Sequence, residues 1–233
     1  MRLIRSFLLV LTACGAPSNK PHAPAVAARS TTALTAIGTH DAFCGGSRDG
    51  CARSCLPIAW SNATPTFTHA QLWRYEDRCP DAAVQQVRCT LAVEHAGVWY
   101  EAVDRVCESD MDPAVTTSLE INRVISRTGI DAFEFTTTGT LLSASEGEDG
   151  NRVDTTVPTS SREIAVCGIG ASHTPSCLAP IYIGGRSMGD SDAERSWALD
   201  DGGVVRLGAF PEGQEPETSD DDGSASTFRV DLR

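Results

Sequence analysis

The chain predicts a mostly β fold, an antiparallel sandwich or barrel-like domain stabilised by disulfides, with a cysteine-rich N-terminal portion containing one short helix. Three observations carry this reading. Beyond Val87, short alternating or β-branched segments recur with turn residues between them. No amphipathic helical stretches separate those segments, as the crossovers of a parallel sheet would require. Eight cysteines lie downstream of Cys14, an even number that suits a disulfide framework: Cys44, Cys51, Cys55, Cys79, Cys89, Cys107, Cys167 and Cys177. With 41% hydrophobic residues in 233 positions, the chain has material for a sizeable core.

The elements follow in order from the N-terminus. Arg2 and Arg5 precede a short apolar core from Phe7 to Leu11, too short to span a bilayer as a mature helix. Residues 1–13 are therefore read as a signal peptide. Its end, Leu11-Thr12-Ala13-Cys14, resembles the lipobox of bacterial lipoproteins. The resemblance covers about fifteen residues. It implies cleavage before Cys14, acylation of that thiol with palmitate-type chains, and a stable attachment to the membrane. Gly15 after the cysteine, in place of the aspartate that retains enteric-type lipoproteins at the inner membrane, implies the outer membrane. The expected location is thus the bacterial cell envelope.

Residues 14–40 read as the acylated cysteine and a flexible tether, rich in Ala, Thr and Pro and without periodicity. The globular part is expected over 41–233. Its first portion, 41–86, is rich in cysteine and loops, with a helix predicted over Thr68–Cys79. There Thr68 and Gln71 form a capping-box pattern, and Leu72, Tyr75 and Cys79 share a helical face.

Residues 87–233 form the strand portion. Arg88–His95 and Val98–Val106 flank Ala96-Gly97 as a hairpin, with Leu91, Val93, Val98 and Tyr100 on one face. Further strands are predicted at 118–126, 132–143, 152–157, 163–168 and 178–183. Two more, 195–200 and 203–208, flank Asp201-Gly202, and 227–232 ends the series. Cys167 and Cys177 stand apart from the other six and pair most simply with each other, while the connectivity of the six stays open.

Charge excludes one class of partner. The 19 basic residues against 31 acidic ones give a net charge of −12, which repels a nucleic-acid backbone. Losing residues 1–13 removes Arg2 and Arg5 and no acid, so the mature chain is two units more negative still. Contact with the membrane is expected through the lipid anchor rather than the protein surface.

Three chemical candidates need weighing. His40-x3-Cys44-x6-Cys51-x3-Cys55 offers the ligand types of a closed zinc site, but exported thiols oxidise first, so no metal is expected. Acids dominate residues 190–222, including Asp220-Asp221-Asp222, yet without the ligand alternation of a calcium loop. A calcium-stabilised β module is therefore a secondary reading. Gly184-Gly185-Arg186-Ser187-Met188-Gly189-Asp190 contains G-x-S-x-G after the apolar run Ala179–Ile183, and over these seven residues it resembles the nucleophile elbow of α/β-hydrolases.

That resemblance implies Ser187 as nucleophile, with an acid and a histidine later in the chain. His22, His40, His69, His95 and His173 all precede it. The preferred reading is a glycine turn leaving a strand, with an envelope serine hydrolase as the alternative. Trp60, Trp73, Trp99 and Trp197 are expected mainly in the β core. The sequence thus points to a binding or assembly module rather than an enzyme, with no cofactor and with an envelope protein or glycan as partner.

Overall fold

The computed structural model describes residues 26–48, 50–80, 86–109, 118–146, 152–186, 192–214 and 223–232. The chain enters through three short strands, β1 (Ala27–Ser30), β2 (Thr32–Ala33) and β3 (Thr35–Gly38), and then a single turn of helix, α1 (His40–Cys44). β4 (Ser47–Arg48), β5 (Cys51–Cys55), β6 (Trp60–Asn62), β7 (His69–Arg78), β8 (Gln86–His95) and β9 (Val98–Ser109) follow. Next come β10 (Ser118–Arg127), β11 (Ile130–Glu146), β12 (Arg152–Ile169), β13 (Pro175–Cys177) and β14 (Ile181–Arg186). The last are β15 (Ala193–Glu194), β16 (Trp197–Asp200), β17 (Val204–Leu207) and β18 (Ser226–Asp231).

These strands form three sheets. The first has the order β3-β9-β8-β7-β5-β4, with β6 added to β7. The second has the order β10-β11-β12-β13-β2, with β14 on β12 and β15 on β14, and the third the order β1-β18-β17-β16. Every described pair is antiparallel except β1 with β18. The expected antiparallel, disulfide-held β architecture is the one adopted.

Burial shows how the layers stack. One core lies between the first and second sheets, built from Leu72, Leu91, Val93 and Val103 on one side and Phe133, Phe135 and Ala165 on the other. A second lies between the second and third sheets, where Ala132, Ile164, Val166 and Ile183 meet Leu199, Val205 and Phe228. A third fills the space between the outer face of the first sheet and α1, where Phe43 meets Trp73, Tyr75 and Trp99. The order of layers is therefore helix, first sheet, second sheet, third sheet.

The second sheet is buried on both faces, and β11 shows how the sequence achieves this. Side chains alternate across a strand, so Phe133 and Phe135 enter one core while Ile130 and Ala132 enter the other. Burying each of those phenylalanines contributes about 2–3 kcal/mol.

Four disulfides are formed, of which Cys44–Cys55 joins α1 to the first sheet, while Cys51–Cys79 and Cys89–Cys107 link strands of the first sheet and Cys167–Cys177 links strands of the second. The last is the pair expected from isolation in sequence. Cys89–Cys107 and Cys167–Cys177 are buried within the first of the three cores.

Four expectations are corrected. The helix predicted over Thr68–Cys79 is strand β7, and the one helix among the described residues is α1, some thirty positions earlier. Ala70 and Leu72 face the inter-sheet core while Trp73 and Tyr75 face α1, and burial on both faces hides the period of two. The flexible tether does not run to residue 40, because 27–38 are strands. β1 is an edge of the third sheet, β2 of the second and β3 of the first. The two strands predicted at 152–157 and 163–168 are a single strand, β12. Gly184 and Gly185 lie within β14 rather than in a turn after it.

Candidate functional site

α1 is only five residues long, and a helix of that length has no stability of its own. Its surroundings hold it. Thr39 caps the first turn, its hydroxyl accepting from the Ala42 amide at 3.2 Å. The Cys44–Cys55 disulfide ties its last residue to the end of β5. Phe43 packs down between Trp73, at 5.1 Å between ring centroids, and Tyr75, at 5.0 Å.

The aromatic contacts continue across the sheet. His40 meets Trp73 edge-on at 4.9 Å, Trp73 meets Trp99 at 5.0 Å, and Trp99 stacks under His69 at 6.3 Å. His69 in turn lies 2.7 Å from the Glu94 carboxylate.

Arg53 of β5 completes this layer. Its guanidinium sits 4.1 Å from the centre of the Phe43 ring and 4.3 Å from that of Tyr75. It donates to both oxygens of Asp77, from Nε at 2.7 Å and Nη2 at 2.9 Å. Burial alone would lower the Arg53 pKa, but the Asp77 carboxylate outweighs it and holds the cation above its ordinary value. Burial, with Asp104 nearby, pushes the Tyr75 phenol up to about 12, so the ring stays neutral beside the cation.

A cleft of about 430 Å³ opens between α1 and the edge of the first sheet. Thr35 and Ile37 of β3, Ala42 and Phe43 of α1, Arg53 of β5 and Glu101 of β9 line it. Its volume is that of a small-molecule site, and its lining is mixed, the apolar Ile37, Ala42 and Phe43 standing beside the polar Thr35, Ser47, Arg53 and Glu101. The arrangement suits a ligand, or a side chain of a partner, with an apolar body and a polar end.

The sequence candidates fall around this cleft unevenly. Cys14 and Ser187 lie outside the described residues, as do Asp190 and the Asp220–Asp222 run. The His40, Cys44, Cys51, Cys55 pattern is partly assembled. The ligand atoms of His40, Cys44 and Cys55 lie within 4.8 Å of one another, whereas Cys51 is drawn away to Cys79. Trp73 and Trp99 are buried as expected, and Trp60 and Trp197 partly so.

The strand that precedes position 187 differs from that of a nucleophile elbow. β14 pairs antiparallel with both β12 and β15, while the elbow needs a parallel strand entering a helix. The glycines have a packing reason instead. A Cβ on Gly184 would stand 2.4 Å from the Ala193 carbonyl oxygen, and one on Gly185 would stand 2.1 Å from that of Ser160.

Four of the five described acids of the 190–222 segment face arginines. Asp192 pairs with Arg186, Glu194 with Arg162, Asp200 with Arg206 and Asp201 with Arg127. A second charged cluster sits between the second and third sheets, where Glu134 accepts from Arg123, Arg162 and the Trp197 indole. Its charges are consumed internally, so it reads as part of the packing.

Arg53, Asp77 and Glu101 are the residues that sequence reasoning missed. Only the pairing of β5 with β7, Arg53 opposite Asp77, brings the first two together, and no local spacing announces it. Compared with known protein families, with curated proteins and with solved structures, the chain matches none.

Proposed function

We propose that the chain is an exported, lipid-anchored envelope protein, acylated at Cys14, whose folded part is a binding or assembly module that takes its ligand in the cleft beside α1. The observation that carries the binding reading is the cleft itself. Its polar wall is Thr35, Ser47, Glu101 and Arg53, the last held by two rings and a carboxylate and so placed without the entropy cost of ordering a free side chain. The envelope location is supported by the lipobox-like Leu11–Cys14 and by four disulfides, which persist in oxidising compartments. The outer membrane is favoured by Gly15. The partner class is an envelope glycan or protein, not a nucleic acid.

Two measurements test the two halves. Acyl-chain labelling of cells should mark the wild type and not Cys14→Ser; equal incorporation in both refutes the anchor. For the cleft, peptidoglycan fragments and envelope oligosaccharides titrated against isotope-labelled protein should shift the Thr35, Ala42 and Glu101 amides. Ala42→Trp, which fills the cleft, should abolish those shifts, and their persistence in that variant refutes the site. A fluorophosphonate probe is expected to leave Ser187 unlabelled, and labelling lost in Ser187→Ala would replace the binding reading with a hydrolase.

A further inference from the structure

Among the four disulfides, Cys44–Cys55 differs in its surroundings. Cys89 and Cys107 are 1% and 0% exposed, and Cys167 and Cys177 0% and 4%, so neither pair is open to a reductant, and in Cys51–Cys79 only Cys79 is partly exposed, Cys51 being buried. Cys44 and Cys55 are both partly exposed, and the His40 Nε2 stands 3.4 Å from the Cys44 sulfur. Nothing in the cleft reading uses this imidazole.

His40 and Cys44 are four residues apart on α1 and therefore lie on one face of the turn. Cys55 is delivered to the same point by the end of β5. Trp73 packs against the imidazole edge-on at 4.9 Å and fixes the ring plane. The other ring nitrogen, Nδ1, lies 3.5 Å from the carboxylate of the exposed Asp41, on the side away from the sulfurs, which leaves Nε2 turned to Cys44.

We propose that Cys44–Cys55 is a reducible disulfide, and that its opening creates a site for a thiophilic d10 cation, zinc(II) or copper(I), held by His40 Nε2 and the two sulfurs. The reducing step is thiol–disulfide exchange with a dithiol. The dithiol supplies two electrons and two protons and becomes a disulfide, while Cys44 and Cys55 become thiols. Cation binding then displaces the two thiol protons.

The distances favour this ligand set. Zinc bonds of about 2.3 Å to sulfur and 2.0–2.1 Å to nitrogen place tetrahedral S and N ligands about 3.5 Å apart. The His40–Cys44 contact, at 3.4 Å, already has that span. The Cys55 sulfur, which lies within 4.8 Å of both partners, has to withdraw to about 3.8 Å from that of Cys44. Two thiolates and an imidazole also form a three-coordinate set suited to copper(I). Either ion replaces one cross-link between α1 and β5 by another through the same residues. The helix stays on the sheet in both states.

The test uses the full-length protein. Limiting dithiothreitol followed by differential alkylation and mass spectrometry should show Cys44–Cys55 opening first, with the β-sheet circular dichroism unchanged. Cobalt(II) added to that species should give a thiolate-to-cobalt charge-transfer band at one equivalent, displaced by zinc(II). Competition against a copper(I) chelator separates the two natural ions. His40→Ala should weaken binding at least about tenfold, and Cys44→Ser with Cys55→Ser should abolish the band. Opening of another disulfide first, collapse of the fold on opening, absence of binding by all three ions, or unchanged affinity in His40→Ala would each overturn the proposal. None of these outcomes depends on the cleft, so the two readings fail separately.

Discussion

Glu134 is 3% exposed in the layer between the second and third sheets, and an ionised carboxylate there is stable only because cations answer it. Arg123 donates from Nε at 3.2 Å and Nη2 at 2.8 Å, the Trp197 indole donates at 2.8 Å, and Arg162 takes the other oxygen. Burial would raise the Glu134 pKa, but Arg162, Trp197 and Arg123 together outweigh it and hold it below the ordinary 4.5. A carboxylate with a depressed folded-state pKa contributes stability that is complete above its unfolded value. Lowering the pH below about 4.5 and through the folded value removes that contribution. Glu134→Gln should therefore cost about 2 kcal/mol near neutrality, discounted because Arg123 and Arg162 can reach water, and should flatten the acid limb of stability. Urea unfolding of both proteins from about pH 6 to about pH 3 checks this, and parallel curves would refute it. The charge of this site was not legible in the sequence, where Ala132-Phe133-Glu134-Phe135 reads as a strand with one polar face. Its polar residue is buried because a third sheet, recruited from residues near both ends of the chain, covers that face.

The hairpin of β8 and β9 was legible as an element because Ala96-Gly97 is a two-residue turn between alternating strands. The register His95 opposite Val98 confirms it. Both turn residues have positive φ, 52° at Ala96 and 79° at Gly97, which is the combination that favours asparagine followed by glycine. Ala96→Asn should stabilise the protein by about 0.5–1 kcal/mol, measured as a rise in urea midpoint, since alanine is held where L-residues with a Cβ are disfavoured. β14 makes the opposite case. Ser161 lies opposite Gly185, and the register shifts between Arg162 and Glu163, so the β12 backbone approaches closely there. Gly185→Ala sets a methyl 2.1 Å from the Ser160 carbonyl oxygen at a φ of +150°, so packing and torsion both oppose it, and it should cost about 3 kcal/mol. Gly50→Ala, at φ +83° but with nothing within 4 Å, should cost about 1 kcal/mol; equal losses would show that torsion rather than packing sets the penalty. A glycine pair after an apolar run could not be told from a turn by sequence, because its cause is a neighbouring strand. The β7 helix prediction failed for a similar reason, since α1 covers the face that an exposed strand would have kept polar.

At the scale of the molecule, the segment Ala27–Gly38 matters most and was least visible. It is short, mostly exposed and free of alternation, so no apolar pattern marks it. Its pairing is made by backbone groups at three sheet edges, which any sequence without proline can supply. The Thr31 amide donates to the Asp231 carbonyl at 3.1 Å, and its hydroxyl donates to the Ser176 hydroxyl at 2.8 Å, joining the third sheet to the second. The Leu34 amide donates to the Pro175 carbonyl at 2.9 Å, and Ile37 packs into the layer under α1. A strap of this kind makes the three sheets one unit. Native-state hydrogen exchange should find the Thr31 and Leu34 amides protected to the level of the β8 amides rather than exchanging at the rate of an open chain. The strap also sets where the domain stands, if Cys14 carries the anchor as proposed. From position 14 to position 26 a fully extended chain reaches about 40 Å, whereas a tether running to position 40 would reach about twice that. Neutron reflectometry of the acylated protein on a supported bilayer should place the near surface of the domain within about 40 Å of the headgroups. A domain found well beyond that distance would mean that the strap detaches when the protein is anchored, and fast exchange at Thr31 in the same sample would confirm the detachment.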